Sequence, residues 1–147
     1  MSAQGIPLKS DLRERARAND IPVARLIGFE AKEIADIALR SCWQPDRSTQ
    51  IPWERCNGGI LCDIADAAMG MAFASTLAPE ESFTTVELKI NFLRPIWQAQ
   101  LKAEGTVVQR GRTIGYVECD ITDEENRLVA KAASTCMVLR GQKAAGR

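Results

Sequence analysis

Residues 56–75, CNGGILCDIADAAMGMAFAS, combine groups that could do chemistry with a largely apolar sequence. Two carboxylates, Asp63 and Asp66, lie three residues apart, and this segment contains no basic residue that could neutralise them. Burying an unpaired aspartate is costly and raises its pKa towards the range in which a carboxylate can act as a general base near neutral pH. Asp66 is therefore a candidate base. The alternative is a structural aspartate that bonds to a neighbouring strand.

The start of the same segment could stabilise a negative charge. The first N–H groups of a helix have no partner within the helix, and the helix dipole is positive there. Gly58 and Gly59 would let a ligand approach this backbone closely, so an oxyanion could accept a hydrogen bond from it. Asn57 could also serve simply as the N-cap, and the two roles are compatible. Asp63 lies nearer the positive end of the dipole than Asp66 and is assigned a structural role.

The absence of histidine restricts the possible chemistry. None of the 147 residues is a histidine, which excludes Ser-His-Asp and Cys-His nucleophiles and a histidine base. The five cysteines form no CxxC pair, so they indicate free thiols and no metal site. The 19 basic and 19 acidic residues balance, so no overall field favours nucleic acid or a membrane. We see neither a signal-peptide core nor a membrane-spanning run and expect a cytoplasmic protein.

Hydrophobic periodicity predicts one helix, at residues 58–77, and a series of strands. The predicted strands cover residues 28–43 (one or two strands), 83–93, 101–109, 113–122 and 127–139. Short connections predict that the last four are antiparallel neighbours and that the helix covers the apolar face of their sheet. We expect a single domain over residues 1–147, with a helical extension at 1–24 and a mobile tail at 140–147.

The predicted strand at 83–93, FTTVELKINFL, alternates between apolar and polar residues. This alternation places Thr85 on one face, and it places Val86, Leu88, Ile90 and Phe92 on the other.

The order of several segments resembles the hot-dog-fold acyl-CoA thioesterases, and most closely the phenylacetic-acid-degradation type. The segments are NGGILCDIADAAMG, FTTVELKINFLRP, a GR pair and DEENRLVAKAASTCMV, and the resemblance covers residues 25–139. It implies an α+β fold in which an antiparallel sheet wraps a long central helix. It also implies homodimers, often paired into tetramers, and acyl-CoA substrates. No cofactor is implied, because CoA is part of the substrate.

The resemblance also implies roles for individual residues. Gly58 would offer its backbone N–H to the thioester oxygen, Asp66 would be the catalytic acid, and Thr85 would help place the water. Asn57 would cap the helix and contact the thioester, and Gly59 would contact the substrate. Two positions depart from the family pattern. Asn57 stands where the family has a histidine, and Ile51 stands where several relatives have an asparagine.

Helix geometry predicts a site shared between subunits. Gly58 and Asp66 are eight residues apart, which is roughly 12 Å along a helix axis. A thioester carbonyl bound at Gly58 would lie beyond the reach of Asp66 on the same helix, even through one water. If both residues act, they come from different protomers across a two-fold interface.

Three arginines at strand ends could bind the phosphates of CoA: Arg94, Arg110 and Arg112. The alternative for each is an ordinary solvated charge.

The sequence therefore predicts an acyl-CoA thioesterase in which Asp66 is the general base or, less favoured, a nucleophile that forms an anhydride. The alternative is a non-catalytic hot-dog protein that binds acyl-CoA. A hydratase of this fold is disfavoured because those relatives use a histidine, and a purely structural module would leave Asp66 unexplained. The acyl group is not identified.

Overall fold

The computed structural model describes residues 29–34, 38–43, 56–97 and 99–145. Its elements are β1 (Phe29–Ile34), β2 (Ala38–Trp43), α1 (Gly58–Ala74), β3 (Ser82–Phe92), β4 (Leu101–Arg110), β5 (Ile114–Thr122) and β6 (Leu128–Leu139), followed by a 3-10 turn at Gly141–Lys143. The predicted extension at 1–24 lies outside the described residues. Ala144, in the tail predicted to be mobile, is buried, and the mobility of the tail stays a prediction.

The six strands form one antiparallel sheet in the order β1-β2-β4-β5-β6-β3. The predicted pairing of β3 with the next strand along the chain is wrong, because β3 pairs with β6 at the sheet edge. The connection after β3 does not turn back as a hairpin. The N–H groups of Leu93 and Arg94 both donate to the carbonyl of Val129 in β6, at 2.8 and 3.1 Å. Further on, Ile96 accepts from the N–H of Cys56 at 2.7 Å, so the chain crosses the end of the sheet.

The helix α1 packs closely against the sheet because glycines remove the side chains that would hold it away. A Cβ at Gly105 in β4 would collide with the Ala68 carbonyl, and one at Gly115 in β5 would collide with the Phe73 ring. The helix buries one side, formed by Leu61, Ile64, Ala65, Ala68, Met69, Ala72, Phe73 and Ala74.

The helix ends at Ala74, three residues earlier than predicted. The hydroxyls of Ser75 and Thr76 donate to the carbonyls of Ala72 and Phe73, each at 2.7 Å. These bonds satisfy carbonyls of the last turn that have no partner within the helix.

A β-bulge changes the face of β3 on which Thr85 lies. Thr85 pairs with Cys136 and Glu87 pairs with Thr135, so Val86 is an extra residue without a partner. Val86 is 58% exposed, whereas Thr85 is turned toward α1. The predicted alternation placed Val86 on the same face as Leu88 and Thr85 on the opposite face. It is therefore wrong for Thr85 and Val86. The buried Ser134 hydroxyl donates to the Glu87 carbonyl at 3.0 Å and holds the bulge.

We expect Gly105→Ala to destabilise the protein by about 1–3 kcal/mol, because the new methyl group would overpack the contact between helix and sheet. Gly70→Ala is the matched control. Its Cβ would lie 3.4 Å from the Phe83 ring, which is ordinary contact, and alanine is favoured over glycine within a helix by about 0.5–1 kcal/mol. Denaturant unfolding measures both variants, and equal stability changes would contradict the close packing at Gly105.

Candidate active site

A side-chain hydrogen bond joins Asp66 in α1 to Thr85 in β3. The Thr85 hydroxyl donates to Oδ1 of Asp66 at 3.1 Å, across the helix–strand boundary. Asp66 forms no ion pair with any residue in the described part of the chain. The expectation that Asp66 is buried is wrong for the single chain. Its side chain is exposed because α1 buries its opposite side against the sheet.

Asp63 is exposed on the same helix. No hydrogen bond or ion pair from a described residue holds its carboxylate, so the structure distinguishes it from Asp66. The contact with Thr85 exists because the bulge turns Thr85 inward.

The start of α1 confirms that Asn57 is the N-cap. Its side-chain oxygen accepts from the N–H of Gly59 at 2.9 Å, and its carbonyl accepts from Ile60 at 3.0 Å. The cap therefore occupies the Gly59 amide, which was also predicted to contact substrate. The N–H of Gly58 donates to no acceptor within the described residues.

A cleft of about 480 Å³ opens beside Gly58. Leu61, Phe92, Leu93 and Ile96 give it apolar walls, and the exposed Arg94 contributes its only charged side chain among the described lining residues. The structure thus brings together two of the predicted site residues, Gly58 and Arg94. The wall residues could not be grouped from the sequence, because Leu61 lies in α1, Phe92 ends β3, and Leu93 and Ile96 lie in the loop that follows.

Cys56 also lines this cleft. Burial raises the pKa of its thiol to about 11, so near neutral pH the group is a protonated thiol and a poor nucleophile.

Arg110 and Arg112 lie away from the cleft. The guanidinium of Arg110 is paired with Glu81 at 2.8 Å, donates to Thr76 at 3.2 Å and stacks 5.3 Å from the centroid of the Phe73 ring, beyond the last turn of α1. Arg112 is exposed, and its carbonyl accepts from Arg140 at 2.6 Å. The structure therefore does not place these two arginines with Gly58 in one chain, and their contact with CoA stays a prediction.

The described segments lack two further kinds of feature. Those segments hold no group of three or more histidine, cysteine, aspartate or glutamate side chains that could bind a metal ion. No helix within them is long and apolar enough to cross a membrane.

Comparison with known proteins identifies the family. The thioesterase superfamily model matches residues 54–130, just over half of the chain. A protein of Saccharolobus solfataricus, provisionally named an esterase, is 37% identical over 84 residues, which are 57% of this chain and 59% of that protein. The medium/long-chain acyl-CoA thioesterase YigI of Escherichia coli is 24% identical over 135 residues, covering 80% of this chain and 86% of its own.

The structural comparison agrees with the predicted branch. The crystal structure of a phenylacetic-acid-degradation-related protein from Ralstonia eutropha superposes with a TM-score of 0.75 at 26% identity, over 84% of this chain and 97% of that one. One helix packed on an antiparallel sheet confirms the predicted hot-dog fold. Matched by its family model and by its fold, the chain belongs to the thioesterase superfamily.

Proposed function

We propose that this protein hydrolyses acyl-CoA thioesters, with Asp66 as general base and the Gly58 N–H as oxyanion donor. The contact between Thr85 and Asp66 is the observation that carries the proposal, because it orients an unpaired carboxylate on an open face of the helix. Family membership supports thioester hydrolysis, and the E. coli relative named as an acyl-CoA thioesterase supports the choice of substrate.

The two carboxylate oxygens of Asp66 can serve different purposes in the reaction. Oδ1 accepts from Thr85, which leaves Oδ2 to take a proton from a water molecule. The oxygen of that water attacks the thioester carbonyl carbon, and collapse of the tetrahedral intermediate breaks the C–S bond. The leaving CoA thiolate then takes the proton from the Asp66 carboxyl group. The products are the free acid and CoA, and no cofactor is consumed.

Gly58 has the position that the oxyanion requires. Its N–H is a donor that the Asn57 cap does not use, and it lies at the positive end of the helix dipole. The apolar side chains of the cleft beside it would strengthen such a hydrogen bond by lowering the local polarity. Arg94 at the same cleft is the residue that we assign to a CoA phosphate.

Both halves of the site lie along β3, which is one of the two edge strands among the described strands. Gly58 lies under Phe92 at one end of β3, and Asp66 lies at Thr85 near the other end. An antiparallel pairing of β3 with a second copy, centred near Leu88, would place Phe92 of one chain opposite Thr85 of the other. Such a homodimer would cover the open edge and form two composite sites. A tetramer, as a dimer of dimers, is compatible with this pairing.

Asn57 favours a second candidate function. Its side chain caps the helix, in the position where the family has a histidine. A hot-dog protein that binds acyl-CoA without cleaving it would keep the cleft and lose the turnover.

We expect Asp66→Asn to lower kcat by about 10²–10⁴-fold with little change in KM, because the amide cannot take the proton from water. Release of free thiol from a panel of acyl-CoAs measures this. Asp63→Asn removes an equally exposed carboxylate from the same helix and should stay close to wild type. Full activity of Asp66→Asn would contradict the assignment, and saturable binding without thiol release by the wild type would establish the carrier function instead.

The Gly58 amide can be tested by removing its hydrogen. Proline lacks the N–H and is favoured at the first residue of a helix, and Asn57 already has the extended conformation (φ −67°, ψ 130°) that a following proline needs. We expect Gly58→Pro to lower kcat by about 10²–10³-fold. Gly58→Ala brings the same Cβ against the Phe92 ring and keeps the N–H, so it reports the steric effect alone. Equal losses in both variants would contradict the oxyanion role.

A composite site predicts recovery of activity in hybrid dimers of Gly58→Pro and Asp66→Asn. One site of each hybrid carries both substitutions and the other carries neither. Random pairing makes half of the dimers hybrids, so about a quarter of wild-type activity should return. Thiol release after co-expression measures this, and mixtures of either variant with itself are the control. A hybrid no more active than its parents would place Gly58 and Asp66 of one chain in the same site.

A further inference from the structure

A second cavity, of about 350 Å³, adjoins the cleft beside Gly58. The cleft and this cavity share the loop that follows β3, because Arg94, Pro95 and Ile96 line both of them. The described residues that line the second cavity alone are Trp97, Ala99, Asp123, Arg127 and Val129. Arg94 therefore lies where the cleft and the second cavity meet.

The two arginines of this cavity differ in the charges around them. Nε of Arg127 donates to Oδ2 of Asp123 at 2.7 Å, and Nη1 of Arg127 lies 3.1 Å from Oε2 of Glu125. Arg94 is exposed and forms no ion pair with any other residue of the described ranges. A phosphate would be attracted to Arg94, whereas the two carboxylates beside Arg127 would repel it. The cavity beyond Arg94 is therefore suited to an uncharged group.

The second cavity has side chains on which a nucleobase can stack. Trp97 is 53% exposed although its neighbour Ile96 is buried, so the indole ring is accessible at the cavity. Bases stack on aromatic rings and on guanidinium planes, and the Arg127 guanidinium is held at the same cavity by Asp123. The volume also lies within the range of about 300–1,000 Å³ that is usual for small-molecule sites.

We propose that the second cavity binds the adenosine of CoA, with the base stacked on Trp97 and the pyrophosphate bound by Arg94. In CoA an uncharged arm, a pyrophosphate and an adenosine follow one another in that order. From Gly58 outward, the protein presents an apolar cleft, an unpaired arginine and an aromatic cavity in the same order. The ribose 3′-phosphate of CoA would extend into solvent, away from the carboxylates.

This inference rests on the proposed function, because a thioester bound at Gly58 determines where the arm begins. It goes further by naming Trp97 as the residue that distinguishes a CoA thioester from a thioester of the arm alone.

ADP carries the base and the pyrophosphate without the arm, so calorimetry with ADP tests the cavity without turnover. Trp97→Ala should weaken ADP binding about five- to thirtyfold, the effect of losing one stacked base, and Trp97→Phe should keep most of the affinity. Inorganic pyrophosphate lacks the base, and its affinity should be the same in the wild type and in Trp97→Ala. Tyr116→Ala is the matched control, because it removes another exposed aromatic side chain, on β5, that lines neither cavity. A wild type that does not bind ADP, or equal ADP affinity in the wild type and Trp97→Ala, would overturn the inference.

Turnover of one acyl group on CoA and on pantetheine gives the second test. Trp97→Ala should raise KM for the acyl-CoA about five- to thirtyfold with little change in kcat, and it should leave KM for the acyl-pantetheine unchanged, because that substrate has no base. The same KM for both substrates in the wild type would overturn this inference alone. Release of no thiol from either substrate would overturn the proposed function, and the ADP measurement would still test the cavity.

Discussion

The close approach of α1 to the sheet is the constraint on which the other features depend. Gly105 and Gly115 leave room for the helix backbone and for the Phe73 ring, so the helix can settle directly onto β4 and β5. This contact determines which side of the helix is buried. Asp66 consequently lies on the opposite side of the helix, where its carboxylate accepts a hydrogen bond from Thr85 in β3. Core packing, rather than attraction among the site residues, places the carboxylate.

The bulge in β3 makes the second adjustment. Without the extra residue, Thr85 would follow the alternation of the strand and face away from α1. With it, the Thr85 hydroxyl reaches Asp66, and the carbonyl of Glu87 is satisfied by Ser134. The strand that supplies the hydroxyl also ends at Phe92, beside the helix start and the cleft. One strand therefore contacts both ends of the proposed site, and its outer edge, which no other described strand pairs with, is where we propose that a second copy pairs.

Features that depend on local sequence could be predicted, whereas features that depend on contacts between distant segments could not. The helix, the strands after it and the Asn57 cap follow from periodicity and from the hydrogen-bonding capacity of asparagine at a helix start. The neighbour of β3 could not be predicted, because it depends on contacts with a distant segment. The N–H groups of Leu93 and Arg94, just after β3, donate to the carbonyl of Val129 in β6. Alternation cannot reveal a bulge, so Thr85 was assigned to the wrong face. The exposure of Asp66 depends on which side of α1 packs against Gly105 and Gly115 in the sheet. The ion pair of Arg110 depends on Glu81, which lies in a loop distant in sequence.

The two ends of α1 differ in what holds them. At its end, Glu81 binds Arg110 at 2.8 Å and Arg140 at 2.5 Å, which joins three segments far apart in sequence. The N–H of Ala78 and these two guanidinium groups hold the pKa of Glu81 below its usual range, although burial opposes this. At its start, the uncharged side chain of Asn57 caps the helix by accepting from the N–H of Gly59 at 2.9 Å. Acid that protonates Glu81 would thus weaken the far end of the helix while leaving the Asn57 cap at its start in place.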